Sequence, residues 1–152
     1  MTSHDGADAP DDDAIDLAHA LLDAARNGDA AFLLPVLDQG APIDLRAADG
    51  NSPLMLAAYH GHTALVRELA ARGADVDLLN ERGQSPLAGA AFKGFPEVAR
   101  VLLEAGADPD VGAPSARETA QYFQREEISA LIAQCEDADE ADDSPASEDS
   151  VG

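Results

Sequence analysis

The chain repeats itself with a period of 33 residues, and this period constrains its fold more than any other feature. Glycines recur at that spacing in two series, at Gly28, Gly61 and Gly94 and at Gly40, Gly73 and Gly106. Aspartates follow the same spacing at Asp44, Asp77 and Asp110. A fixed period of this length is typical of an array of stacked units, in which each unit buries its apolar face only against its neighbours.

Each unit has the pattern of two short helices joined by a glycine turn. In the unit that is easiest to interpret, Ser52 can cap the first helix and Pro53 suits its first turn. Gly61 ends that helix, because glycine adopts left-handed backbone conformations without a side-chain penalty. A second helix with an aliphatic stripe follows and ends at Gly73. Since the first helices carry small alanines and the second helices bulky aliphatics, we expect the first helices to stack more closely.

The C-terminal end of the array departs from the pattern. The 33-residue spacing predicts another proline and leucine there, but Thr119 and Ala120 occupy those positions, and Gln124 stands where an alanine is expected. We interpret this segment as a degenerate cap that remains a helix pair. The predicted domain spans residues 16–134 and divides into three repeats and a cap, at 16–48, 49–81, 82–114 and 115–134.

The stretch DGNSPLMLAAYHGH at residues 49–62 resembles the ankyrin repeat, as do the Gly-Ala-Asp triplets at 73–75 and 106–108. The resemblance covers roughly the whole predicted domain. It implies an all-α solenoid of helix-turn-helix units with short β-hairpin fingers, whose usual role is protein recognition along the concave face. The sequence departs from the family's Thr-Pro-Leu-His motif, because Met55 and Ala88 stand at the histidine position. We therefore expect the coupling between repeats to depend more on apolar packing.

The resemblance also implies which positions contact a partner: the finger tips and the last two residues before the glycine that ends each first helix. The positions before the glycines are Arg26, Asn27, Tyr59, His60, Phe92 and Lys93. The selected finger-tip positions are Asp49, Asn51, Arg82 and Gln84. Because aromatic residues and arginine are enriched at interface hot spots, we expect Tyr59, Phe92 and Arg82 to be the main anchors. Tyr59 and Phe92 lie one period apart, so their rings should lie side by side; the alternative is that each ring only covers a neighbouring helix.

The charge of the chain limits its partners. It has 30 acidic and 9 basic residues, a net charge of −21, so phosphate backbones and anionic membranes should repel it. Thirteen of the carboxylates lie in residues 1–15 and 136–152, which contain no Lys or Arg and no apolar periodicity. We predict disordered acidic tails over residues 1–15 and 135–152. Solubility is the simplest role for the C-terminal tail; attraction of a basic partner or shielding of the concave face are the alternatives.

The sequence gives weaker indications of compartment and source. Cys135 is the single cysteine, so no intrachain disulfide can form. The acidic start lacks the pattern of a secretory signal, and no apolar run is long enough for a membrane helix, so we expect a cytoplasmic monomer. The alanine-rich, lysine-poor composition resembles that of a GC-rich bacterial source, in which small stand-alone ankyrin proteins occur.

No residue pattern predicts catalysis, a cofactor or a metal site. His60 and His62 could chelate a metal, but no cysteine or third histidine follows at ligand spacing, and we expect a structural role for His62. Glu136 and Asp137 follow Cys135 and should disfavour its thiolate. We therefore predict a non-enzymatic adaptor or scaffold for a protein partner. The alternatives are a regulator or protector of an intracellular enzyme and a hydrolase built around His60.

Overall fold

The computed structural model describes the backbone of residues 3–136 and the side chains of residues 15–136. Within this range the chain forms eight helices and no β-strand. They are α1 (Ser3–Asn27), α2 (Ala30–Asp38), α3 (Pro53–Tyr59), α4 (Thr63–Ala71), α5 (Pro86–Lys93), α6 (Pro96–Glu104), α7 (Ala116–Tyr122) and α8 (126–136). The predicted all-α class is confirmed.

The helices stack in two layers. The first helices contact one another in the order α1, α3, α5 and α7, and the second helices α2, α4 and α6 follow the same order. Contacts between first helices are the more extensive, as their small alanines predict. Leucines buried at the repeat period, Leu21, Leu54 and Leu87, form the core of the first layer. One apolar core therefore runs through the whole array.

Serine caps explain where the first helices begin. The Ser52 hydroxyl accepts a hydrogen bond from the backbone N–H of the third residue of α3 at 3.2 Å, and Ser85 does the same for α5 at 3.0 Å. At α7, Ser115 accepts from the N–H of Glu118 at 3.1 Å, and the Glu118 carboxylate accepts from the N–H of Ser115 at 2.9 Å. This reciprocal pair satisfies two N–H groups that the helix itself leaves without partners.

The cap follows the third repeat at an offset of 30 residues, and the 33-residue alignment of the cap was wrong. Ser115 takes the position of Ser85, and Gln124 takes that of Gly94. Gln124 has a φ of 56°, and no other non-glycine residue in the described range has a positive φ. The offset changes because the connection that precedes the cap is three residues shorter.

The fingers are tight turns, whereas the family resemblance implies short β-hairpins. The N–H of Ala47 donates to the carbonyl of Asn51 at 3.0 Å, and the N–H of Asn80 donates to that of Gln84 at 3.0 Å. The single bridge-type β contact in the described part of the chain lies beside the cap. In the described structure each finger is closed by a backbone hydrogen bond of this kind and forms no strand ladder.

The ends of the described range differ from the predicted tails. The backbone of residues 3–15 is helical as part of α1, although composition predicts disorder there. Acidic residues near a helix N-terminus interact favourably with the helix dipole, which a prediction from composition ignores. At the other end α8 includes Cys135 and Glu136, and residues 137–152 lie outside the described residues. None of the described helices combines the length and apolarity that a membrane span requires.

Candidate protein-binding surface

Four aromatic side chains form a continuous row at the ends of α3, α5 and α7. The rings of Tyr59 and Phe92 are nearly parallel, with an interplanar angle of 9° and 6.2 Å between centroids. Phe92 meets Phe123 edge-on at 5.2 Å, and Phe123 meets Tyr122 edge-on at 4.9 Å. The predicted proximity of the Tyr59 and Phe92 rings is confirmed. Tyr122 and Phe123 were not among the predicted contact residues. We call these four residues the aromatic row.

The aromatic row leaves much of its surface open to solvent. Tyr122 is 80% exposed, Phe123 41% and Phe92 38%. Phe92, Tyr122 and Phe123 therefore contact one another and remain exposed, whereas Tyr59 is half-buried beneath Lys93. Contiguous exposed apolar surface of this kind is typical of interaction sites.

A groove of about 210 Å³ lies beside the aromatic row, between the fingers and the first helices. Seven of the ten predicted contact residues line it: Arg26, Asp49, Asn51, Tyr59, His60, Arg82 and Gln84. Asn27, Phe92 and Lys93 lie outside this lining. We call it the polar groove, and Tyr59 belongs both to it and to the aromatic row.

Asn80 organises the finger side of the polar groove. Its Oδ1 accepts from the backbone N–H groups of Arg82 at 2.9 Å and Gln84 at 3.0 Å. Its Nδ2 donates to the side-chain oxygens of Asn51 at 2.9 Å and Gln84 at 3.1 Å. The two predicted contact amides are thus held in place by a buried residue that the sequence analysis did not select. The 33-residue pattern does not point to Asn80, because the equivalent residue of the preceding repeat is Ala47.

Arg46 and the finger backbones tie the two fingers together. The Arg46 guanidinium donates to the carbonyls of Gly50 at 3.2 Å and Leu79 at 3.0 Å. The N–H of Glu81 donates to the carbonyl of Asp49 at 3.0 Å. The bond from Arg46 to Leu79 and the bond from Glu81 to Asp49 join the two fingers and so stabilise the wall of the polar groove.

Lys93 and His60 both contact the Tyr59 ring in the middle of the surface. Lys93 Nζ lies 5.0 Å above the centroid of the Tyr59 ring, a cation–π geometry, and His60 meets the same ring edge-on at 5.7 Å. Burial lowers the pKa of His60, and the charges of His62, Arg26 and Lys93 lower it further. The His60 ring, which lies near the cations Arg26 and Lys93, is therefore mainly neutral at pH 7.

A side chain from each following unit covers the glycine that ends the preceding first helix. The pairs are His62 on Gly28, Phe95 on Gly61 and Arg125 on Gly94. His62 Nε2 also donates to the carbonyl of Arg26 at 2.8 Å, which confirms the structural role expected for this histidine. Arg125 donates to the carbonyls of Ala91 at 3.1 Å and Phe92 at 2.8 Å, and so fixes the end of α5 where the aromatic row passes.

The repeated aspartates have structural roles, as their spacing predicts. Asp44 Oδ1 accepts from the N–H of Asp75 at 3.0 Å, and Asp77 Oδ1 accepts from that of Asp108 at 2.8 Å. Burial raises the pKa of Asp77. Each bond links one repeat to the next.

The other residues considered for chemistry are not assembled into a site. The His60 and His62 rings lie 6.4 Å apart, and no group of three potential metal ligands comes together among the described residues. Cys135 is half-buried on α8 and packs against the core.

A family model described as ankyrin repeats (3 copies) matches residues 21–113. No curated protein matches the chain. The matched segment includes Tyr59 and Phe92, whereas Tyr122 and Phe123 lie beyond it.

Proposed function

The chain belongs to the ankyrin-repeat family, whose repeats generally mediate protein–protein interactions, and on this premise we propose that it is a non-enzymatic adaptor or scaffold. Its partner binds across the polar groove and the aromatic row, on the concave face. The observation that carries this proposal is the exposed aromatic row beside a prearranged polar groove.

Two physical features support binding at this surface. Exposed aromatic rings bury large apolar areas when a partner covers them, and such residues dominate interface energies. The bonds of Asn80 and Arg46 hold the fingers in one arrangement, so binding orders little additional structure. A rigid polar wall beside an apolar strip also resembles the rim and core of protein interfaces.

A pull-down from the source cell tests the proposal. Full-length wild type is compared with a Tyr59→Ala/Phe92→Ala variant and with Phe32→Ala. Phe32 is a matched control because it is 40% exposed, like Phe92 at 38%, but belongs to α2 in the other layer. We expect the double variant to lose a partner that wild type and Phe32→Ala retain, with circular dichroism showing that all three fold. Equal recovery of every partner by all three proteins would refute the assignment of this surface.

A further inference from the structure

The binding surface is rich in cations, although the whole chain has a net charge of −21. Five arginines of the described range have a carboxylate within ion-pair distance: Arg26, Arg46, Arg72, Arg100 and Arg117. The other described cations are Arg67, Arg82, Lys93 and Arg125. Three of these four lie at the surface: Arg82 lines the polar groove, Lys93 covers the Tyr59 ring, and Arg125 lies 5.8 Å from the centroid of Phe123. Among the described residues, most cations without an ion-pair partner therefore lie at this surface.

Three carboxylates lie at or beside this surface, those of Asp49, Glu81 and Glu118. Asp49 accepts from the backbone N–H of Asn51 at 3.2 Å and from its side-chain amide at 3.0 Å. Glu81 lies 3.9 Å from Arg46. None of the three forms an ion pair with Arg82, Lys93 or Arg125 in the described structure.

The apolar part of the surface ends in a depression at the cap. It is lined by Pro114, Glu118, Thr119, Tyr122 and Phe123, and has a volume of about 530 Å³. The highly exposed Tyr122 forms one side of it. An aromatic or aliphatic side chain placed there would contact the Tyr122 and Phe123 rings and extend the apolar row.

We propose that this surface binds a segment of the partner that carries carboxylates together with an aromatic or aliphatic anchor. The inference rests on the proposed function and specifies the partner's chemistry. The carboxylates pair with Arg82, Lys93 and Arg125, and the anchor packs against Phe123 and Tyr122.

Screening by salt explains why the nearby cations can attract an acidic segment although the whole chain has a net charge of −21. At physiological salt the Debye length is about 8 Å, so carboxylates farther away act weakly while the cations in contact act fully. The chain's own residues 137–152 contain seven carboxylates, but Val151 is their largest apolar side chain. That segment lacks an aromatic or large aliphatic anchor, so its sequence favours a partner segment as the occupant.

Binding of synthetic peptides tests this inference. The probes are fluorescein-labelled peptides of one length: Glu/Ser around a Leu-Phe pair, its Lys/Ser analogue, and a Glu/Ser peptide with Ala-Ala at the centre. Fluorescence anisotropy with the full-length protein should show the anchored acidic peptide binding at least about tenfold more tightly than either of the others, and more weakly as salt rises.

A charge-matched pair of variants separates local from global electrostatics. Lys93→Glu and Arg67→Glu change the net charge equally, but Arg67 lies exposed on α4, in the other layer. Lys93→Glu should weaken binding of the acidic peptide about tenfold or more, whereas Arg67→Glu should change it less than about twofold. Equal effects of the two variants, or no preference for the acidic peptide, would overturn the inference.

Removal of residues 137–152 distinguishes the occupants. An affinity for the acidic peptide that stays within about twofold supports a partner segment. Binding that occurs only after the deletion would make the chain's own segment the occupant and overturn the inference. If the Tyr59→Ala/Phe92→Ala variant loses a partner while the peptides show no charge preference, the proposed function stands and only the acidic chemistry fails.

Discussion

Replacement of Gly28 by alanine tests whether a side chain seated on a turn glycine couples neighbouring repeats. Gly28 has a φ of 75°, and an added Cβ would lie 2.6 Å from Nδ1 of His62. Gly73 is the control, because it has a φ of 93° but no atom within 4 Å of an added Cβ. At both sites, an alanine in the left-handed region destabilises the folded state by about 1–2 kcal/mol. Alanine also reduces the conformational freedom of the unfolded chain, which offsets about 0.4–1 kcal/mol of that loss. Gly73→Ala should therefore lower the free energy of unfolding by about 1 kcal/mol.

Gly28→Ala should cost more because it also displaces His62. The imidazole then loses its 2.8 Å hydrogen bond to the carbonyl of Arg26, which is worth about 1 kcal/mol. The total loss should be about 2 kcal/mol. The difference between the two glycine variants measures the contact, since the backbone effects are similar at both positions.

Urea unfolding followed by circular dichroism measures these energies, with the denaturant slope as a check on the unfolded state. Both glycine variants are made with His62 intact and with His62→Ala. The coupling energy between Gly28→Ala and His62→Ala should be about 1 kcal/mol, and that between Gly73→Ala and His62→Ala close to zero. Equal losses for the two glycine variants, independent of His62, would refute the coupling.

Three further predictions concern the cap, a helix start and acid stability. Gln124→Gly should raise the free energy of unfolding by up to about 1 kcal/mol, because Gln124 holds a φ of 56° that glycine adopts without strain; a loss of stability in urea would contradict this. Ser85→Ala should lower it by about 1 kcal/mol, since the buried hydroxyl caps α5, and an unchanged melting temperature would count against the cap. Hydrogen bonds from Arg117 at 2.7 and 3.1 Å hold the pKa of Asp110 below its usual range. The stabilisation from this carboxylate is present above the unfolded pKa of about 3.9 and is lost as the pH falls through the folded pKa. Asp110→Asn should thus lower the free energy of unfolding at pH 7, and its difference from wild type should shrink as the pH falls. If urea titrations show a difference in free energy that does not depend on pH, the link between the Asp110 pKa and stability is excluded.

The interior of the array could be predicted because its features have local causes. Ser52 precedes a proline and an apolar helix, so the capping role of its hydroxyl can be inferred from neighbouring residues alone. Gly61 needs a left-handed conformation, and its recurrence at the repeat period made that requirement visible. The pairing of Tyr59 with Phe92 follows from the same period.

The cap and the finger network could not be predicted from that period. A shortened connection moved the cap by three residues, so Tyr122 and Phe123 were not recognised as the continuation of the row. A local signal was present, since Ser115 followed by Glu118 three residues later is typical of a helix start. Asn80 acquires its role only when two fingers meet, and a single repeat does not contain that information.

Three chemically different groups pack against the glycines that end the first helices: the imidazole of His62, the phenyl ring of Phe95 and the guanidinium of Arg125. The position therefore selects for a flat group without selecting for its polarity. A copy of one repeat inserted by gene duplication would bring both a bare glycine and a planar side chain to cover the glycine before it. Such an array can therefore gain repeats during evolution while keeping the same contact between each glycine and the planar side chain that covers it. The side chain at each contact can later change independently.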